Sequence, residues 1–547
     1  MKYLSFGILL CGMAAWAQPV IRSQNPAVNS ASFRTPGLSA SGIAQGSLFM
    51  IKGTGLGPDP WVQATTFPLE TTLGGSSVAV TIGGTSVQAL VVLAWSSQIN
   101  AVLPSTAPTG TGTFTVTYNG QTSNQAPITV VPAAFGIYTY NGWGSGQAIA
   151  TFPDYRYNTI IQAFHPGDTG VLWGTGLGAI SGDDAAPPPV GNLPTPIKLH
   201  VGNAIATVIY QGRSGCCSGL DQINFVVPSG VSGCHVPIAV EIGGEVGNIA
   251  TIAITTSGQT CTDSVMGQDL VDNLASGQTV DFGYIRLESN LARFNVGSGD
   301  QDFGTATFSE FTPATAGNAQ YGVSSGGCVT MECSPVTGCH SAGGVNFLSD
   351  QTSGQLDAGS SLMVDGQGKK VPMTCSGGWC FGMLSQNGGR DLWSVLPYTV
   401  SGQGGSKVGP FSATDMTSVA NVMFTDYTLN QITTVPRNRD FTLKWTGGDP
   451  QLQNGQMTIG GYSMSSDYTQ VMWLQCTAPL ADQQFTIPAW VLSTLPVSGT
   501  FQNGSATFPI GLLWIGQYNV PVTFSATGLD RGILTDGFFN GLGVYFQ

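Results

Sequence analysis

GSLFMIKGTGLG, residues 46–57, returns as GDTGVLWGTGLG at 167–178. SSQINAVLP (96–104) returns as LDQINFVVP (220–228), and YNGQTSN (118–124) as IGGEVGN (242–248). The blocks keep their order, offset by 121 residues from 46 to 167 and by 124 from 96 to 220 and from 118 to 242. Matched blocks in fixed order mark a duplicated structural unit, which has to be recognised before any fold is assigned. Between them, VAVTIGG (78–84), FTVTYNG (114–120) and APITVV (126–131) alternate or run apolar as strands do. Asn119-Gly120 is a hairpin-turn pair. Each copy is on the order of 100 residues of short strands, the size and texture of an immunoglobulin-like sandwich.

The copies occupy 25–131 and 132–258. The second carries an insertion, SGDDAAPPPVGNLP (181–194), too proline-rich for regular structure. Beyond Cys261 the texture changes. SVMGQDLVDNLASG (264–277) predicts a short helix with Leu270, Val271 and Leu274 on one face and Gly277 at its end. A disulfide-containing β-rich domain is expected at 262–415, with a soft boundary near VGPFSATD (408–415), and a C-terminal β-sandwich domain at 416–547. IPAWVLSTLP (487–496) predicts a turn or two of helix opened by Pro488. The expected fold class is all-β: tandem immunoglobulin-like sandwiches followed by further sandwich-like domains.

Of 547 residues, 9% are charged and 42% hydrophobic, too apolar for a disordered chain. The net charge of -13 with 17 Lys+Arg leaves no basic footprint, so no nucleic-acid partner is expected. Lys2, the apolar run 4–15 and Ala15-Trp16-Ala17 read as a secretory leader cleaved before Gln18. A lipid anchor on Cys11 is the lesser reading, because Leu10 stands where a small residue is wanted. The expected location is secreted or at the cell surface, with no membrane span in the mature chain.

Ten cysteines follow the leader, an even number that suggests disulfides in an exported protein. Neighbouring cysteines rarely bond each other, so Cys216 and Cys217 are expected to reach Cys234 and Cys261 in either order. Cys375 and Cys380 close a small loop around SGGW. Cys328, Cys333, Cys339 and Cys476 stay unassigned. Zinc on Cys328, Cys333, Cys339 and His340 is the lesser reading, since the spacing is irregular and export favours oxidation. Asp300 and Asp302 in GSGDQDFG (297–304) are weak calcium candidates in a glycine-rich loop, and Asp183-Asp184 weaker ones. No cofactor is expected.

GTGLGA at 174–179 formally matches a dinucleotide fingerprint, but ISGDDAAPPP follows, where a phosphate-binding loop needs a helix. The motif reads as a turn. Four histidines, 165, 200, 235 and 340, sit in no catalytic motif, and no G-x-S-x-G elbow occurs. Trp61, Trp95, Trp143, Trp379 and Trp393 lie in or beside predicted loops, where aromatics dock partners, stack on sugars or plug sandwich ends.

The two GTGLG blocks, each after an apolar strand, resemble IPT/TIG-type immunoglobulin-like domains. AVNSASF (27–33), the QIN-x-x-x-P blocks at 98–104 and 222–228, and CCSGLDQINFVVP (216–228) are similar to a family of secreted acidobacterial proteins. FTLKWTGGDP and FTIPAWVLSTLP are similar to segments of the same family. That resemblance implies fold and export, and brings no catalytic residues. The expected function is therefore binding or adhesion to an extracellular protein or glycan, without catalysis. The alternatives are a carbohydrate-binding or carbohydrate-acting protein, with Glu310 and Glu332 as first acids to substitute, and a structural subunit of an extracellular assembly.

Overall fold

The computed structural model describes residues 18–294, 297–298, 301–334, 338–339, 354–366, 368–385, 397–415, 421–427 and 432–547. The expected leader (1–17), Asp300, His340 and Trp393 lie outside them. The described chain is all-β, apart from helices at Gln268–Ala275 and Ala489–Leu492 and short 3-10 turns. In the first helix Leu270, Val271 and Leu274 are the buried side chains, the face the sequence predicts.

The first copy is a two-layered immunoglobulin-like sandwich. One sheet is ordered Val20–Ile21, Leu48–Thr54, Gln98–Val102, Leu90–Ala94, Val62–Gln63. The other is ordered Ile43–Ala44, Ala126–Val131, Gly110–Tyr118, Ser76–Ile82, Thr72–Leu73. Ser76–Ile82 alternates buried and half-exposed residues, which turns Val78, Val80 and Ile82 inward against Phe49, Ile51 and Ile99. Each such side chain contributes about 1.5–3 kcal/mol, and a one-residue slip would turn all three to solvent.

The second copy joins its two layers through one long strand. Ala204–Arg213 pairs with Lys198–Val201 at one end and with Asp221–Val226 at the other, across a bulge between Val208 and Tyr210. Its core holds Phe164, Leu172, Ile223, Phe225, Ile238 and Ile252. The copies share a clamp. Asn124 accepts from the Ile21 amide (2.8 Å) and donates to its carbonyl (3.2 Å). Asn248 does the same to Ile137, at 2.8 Å both ways. The closing asparagine of each repeat thus holds that repeat's opening strand.

Beyond residue 280 most of the described strands join one large sheet that closes on itself. Val280–Phe294 pairs in parallel with Arg531–Phe546 from Phe282↔Arg531 to Arg293↔Leu542. On its other side it pairs with Gln301–Phe311. Arg531–Phe546 also pairs with Gly511–Tyr518, and Cys328–Ser334 with Val471–Pro479. Strand pairing therefore crosses the expected 415/416 boundary. Two sandwich-like cores share this sheet. One contains Ile285, Phe308, Val364, Met373, Val400 and Leu534. The other contains Trp445, Ile459, Leu474, Ile515, Leu542 and Val544, under the small sheet of Val422–Phe424, Phe441–Gly447 and Gln484–Ile487. At about 3.3 Å per residue, the 16-residue strand Arg531–Phe546 is on the order of 50 Å long and runs from one core to the other.

The cysteine pairing differs from expectation in the second copy. Cys216 bonds Cys217, and Cys234 bonds Cys261. Cys234 follows Gly233 on an inner strand and Cys261 leads out of the sandwich. Their Cα atoms are 5.4 Å apart, within disulfide reach, and both residues are buried. Cys375–Cys380 closes the small loop expected of it, and Cys328 bonds Cys476. Cys333 is disulfide-bonded too, with Cys339 its register partner across the strand pair. Cys328 and Cys333 are thereby withdrawn as zinc ligands.

Candidate functional site

The segment after Ala27–Asn29 leaves the first sandwich and crosses to the other two parts of the chain. Asn29 turns it: its side-chain oxygen accepts from the amides of Ala31 (2.9 Å) and Ser32 (3.1 Å). Its Nδ2 donates to the Ala134 and Thr175 carbonyls of the second copy, both at 3.2 Å. Phe33 follows with φ of 55°, in the left-handed region a phenylalanine rarely adopts. Arg34 is then driven inward, where it donates to the Gly247 carbonyl at 2.7 Å. Thr35 meets the C-terminal half, its amide and hydroxyl both donating to the Glu332 carboxylate.

These turns frame a groove of about 610 Å3 where all three parts meet, a size typical of small-ligand sites. The first sandwich supplies Arg22, Met50 and Lys52, the crossing segment Phe33 and Arg34, the second sandwich Trp143 and Asn248, and the large sheet Glu332 and Met472. Trp143 is 46% exposed, on a loop fixed at several points. Asn141 Oδ1 accepts from the Trp143 amide (3.0 Å), Thr139 Oγ1 from the Gly144 amide (3.0 Å), and Asn248 Nδ2 donates to the Gly144 carbonyl (2.9 Å). Gly144 has φ of 75°, and a Cβ there would meet the Ser32 carbonyl oxygen at 2.2 Å. Only glycine lets this loop pass the crossing segment.

Burial pushes the Glu332 carboxyl above its ordinary value, against the pull of the Thr35 hydrogen bonds and the Arg34 charge. Burial, then the neighbouring Arg22, pulls the Lys52 ammonium below its ordinary value. The groove thus holds three cations against one acid. Among the described residues it presents hydrogen-bonding groups, an aromatic face and charge, and its one hydroxyl–carboxylate pair, Thr35 on Glu332, is the contact that ties the crossing segment to the large sheet.

A second cavity, of about 340 Å3, lies between the second sandwich and the large sheet. The Cys234–Cys261 bond flanks its buried pair, His235 Nε2 and Asp263 Oδ2 at 3.0 Å. Facing them, the Tyr518 hydroxyl donates to Glu288 (2.7 Å), whose carboxylate neighbours Arg286 at 3.2 Å. No hydroxyl bonds a ring nitrogen of His165, His200 or His235 among the described residues, so no Ser–His–Asp relay is assembled there.

The other singled-out residues scatter. Glu310 sits on Gln301–Phe311 opposite Asp281, and only Glu332 of that pair lines the groove. Asp302 lies in a strand rather than the expected loop, its carbonyl accepting from Leu384 and Ser385. Among the described residues no three His, Cys, Asp or Glu side chains are grouped to hold a metal ion. Asp184 is buried and accepts from the Ser105 amide (2.6 Å) and hydroxyl (2.9 Å), tying the insertion to the first sandwich. Trp61 and Trp95 are exposed away from the groove, and Trp379 stacks on Phe381 within one strand at 6.0 Å. The GTGLG amides of the second copy serve an internal anion: Gly176 and Leu177 both donate to Asp221 Oδ2 at 2.8 Å.

Two side chains of note carry no sequence signal. Asp415 and Asp536 are buried together, with Asn519 donating to Asp536 Oδ1. Burial, and then the Asp415 charge and hydrogen bond, push the Asp536 carboxyl up to about 8. Among the described residues, no helix is long and apolar enough to cross a membrane.

No family model matches this chain, and no curated protein is similar to it. Among solved structures it is similar to the I9–I11 tandem of titin, at 8% identity over 68% of this chain and 92% of that one, with a TM-score of 0.13. A Bacteroides ovatus mixed-linkage glucan utilization locus protein, SGBP-B, in complex with a mixed-linkage heptasaccharide, is 13% identical over 84% and 90%, TM-score 0.13. Domains 5–6 of the S-layer protein SbsC are 14% identical over 44% and 100%, TM-score 0.16. TM-scores this low describe no shared overall arrangement.

Proposed function

We propose that this chain is a secreted or surface-exposed binding protein that holds its ligand in the groove between its three parts and performs no chemistry on it. The observation that carries this reading is the groove itself. Its lining comes from segments distant in sequence, and its aromatic loop is fixed by Asn141, Thr139, Asn248 and a glycine that nothing else can replace. A fixed aromatic amid hydrogen-bonding groups is the usual composition of a recognition site. The two sandwiches then form two of its walls, supplying Arg22, Lys52, Trp143 and Asn248. Export, cleavage before Gln18 and kinship with the secreted acidobacterial proteins belong to the same reading, supported by the leader-like start and the disulfides.

Trp143 favours a glycan over a protein as ligand, because a half-exposed indole beside amide and hydroxyl groups suits a sugar ring. A glycan array probed with the mature chain tests this. Binding that Trp143→Ala abolishes, with the melting temperature kept, is the expected result. Robust hydrolase activity lost on one carboxylate substitution would refute the non-catalytic reading.

A further inference from the structure

Arg22 and Lys52 stand side by side on the wall that the first sandwich gives to the groove. The Arg22 amide donates to the Lys52 carbonyl (3.1 Å), which brings the two side chains together. Among the described residues both find only neutral acceptors: Arg22 Nε donates to the Asn25 carbonyl (3.1 Å) and Lys52 Nζ to Gln98 Oε1 (2.8 Å). Among the described residues neither forms an ion pair, although the chain has 30 acidic residues to 17 basic ones. The third cation, Arg34, is matched by Glu332. Two like charges held together without a counter-ion repel each other, and an anion between them relieves that.

We propose that the groove takes a saccharide segment bearing a carboxylate or sulfate, with the anion against Arg22 and Lys52 and a ring against Trp143. This rests on the groove being the binding site. A nucleic acid suits it less well: two unpaired cations on a chain of net charge -13 make no track for successive phosphates.

Calorimetric titration of the mature chain with an oligogalacturonate, a sulfated oligosaccharide, a neutral gluco-oligosaccharide and a short single-stranded DNA tests the proposal. One acidic saccharide is expected to bind at least about tenfold more tightly than the neutral one, and more weakly as salt is added. Which acidic arm binds identifies the source of the anion. Arg22→Gln and Lys52→Gln are each expected to weaken that binding about tenfold at unchanged melting temperature, since a charge-assisted hydrogen bond is lost. Equal affinity for acidic and neutral saccharides, or indifference to both substitutions, overturns the anionic ligand and leaves the groove as a binding site. Tightest binding to DNA overturns the saccharide. No saccharide binding in any arm overturns both the ligand class and the groove reading.

Discussion

Position 221 carries an aspartate where the first copy has Ser97. In the first copy the turn amides of Gly53 and Leu56 are taken by the Ser97 and Ser96 carbonyls. In the second, a carboxylate takes two turn amides and pairs with Arg213, which reaches on to the Gly46 (2.9 Å) and Gly178 (2.8 Å) carbonyls. A fully buried ion pair thus joins the two sandwiches. Removing one partner of such a pair strands the other, so Arg213→Met is expected to cost about 3–5 kcal/mol in urea denaturation. Asp536 gives a prediction of opposite character. Its carboxyl titrates near 3.8 when unfolded and near 8 when folded, so folding favours the protonated form. The stabilisation is complete below pH 3.8 and is lost as pH rises toward 8, at up to about 1.4 kcal/mol per pH unit. Melting temperature measured against pH should fall across that window, and Asp536→Asn should flatten the slope. At this scale the sequence was partly legible. The repeat exposed Asn124 and Asn248 as counterparts before their shared clamp was visible. Asp415 and Asp536 gave no such signal, because their pairing depends on strands that meet only in space.

Among the elements, the loop that presents Trp143 and the strand pair bridged by Cys328–Cys476 make the sharpest claims. Gly144→Ala forces a Cβ onto the Ser32 carbonyl, so it should displace the loop, change the Trp143 fluorescence and weaken ligand binding together. Cys328 and Cys476 are register partners in strands 148 residues apart. Replacing both with alanine should cost about 2–4 kcal/mol, read as a lower urea midpoint. Alternation along Ser76–Ile82 and the single apolar face of 268–275 were enough to recognise these elements from sequence. The partner of Val280–Phe294 was not recognisable. Period and composition mark a run as strand but do not say which distant run lies beside it. The vicinal Cys216–Cys217 bond escaped for a different reason: neighbouring cysteines rarely bond each other, and this pair departs from that rule.

As a whole molecule, the chain is two sandwiches, each with a main core of its own, followed by a half whose strands interlock across its midpoint. A fragment of residues 18–263 is expected to give a cooperative unfolding transition by circular dichroism, because the main core of each sandwich draws only on its own residues and Cys261 stays bonded to Cys234. A fragment of 259–415 should not, because Val280–Phe294 would lose its parallel partner and leave a long open edge. The groove was illegible for the same architectural reason. Arg22, Trp143 and Glu332 are far apart in sequence, and their meeting is a property of how the three parts are docked.

Asp281 donates its amide to Asp530, 249 positions later, at the start of that parallel pairing. At the usual pace of synthesis the earlier strand waits roughly ten to fifty seconds for its neighbour to be made. During that wait the leading sandwiches are complete enough to fold while the trailing half has an unfilled place in its sheet. A chain with that schedule benefits from being kept unfolded, or shielded by a chaperone, until translation has passed residue 546.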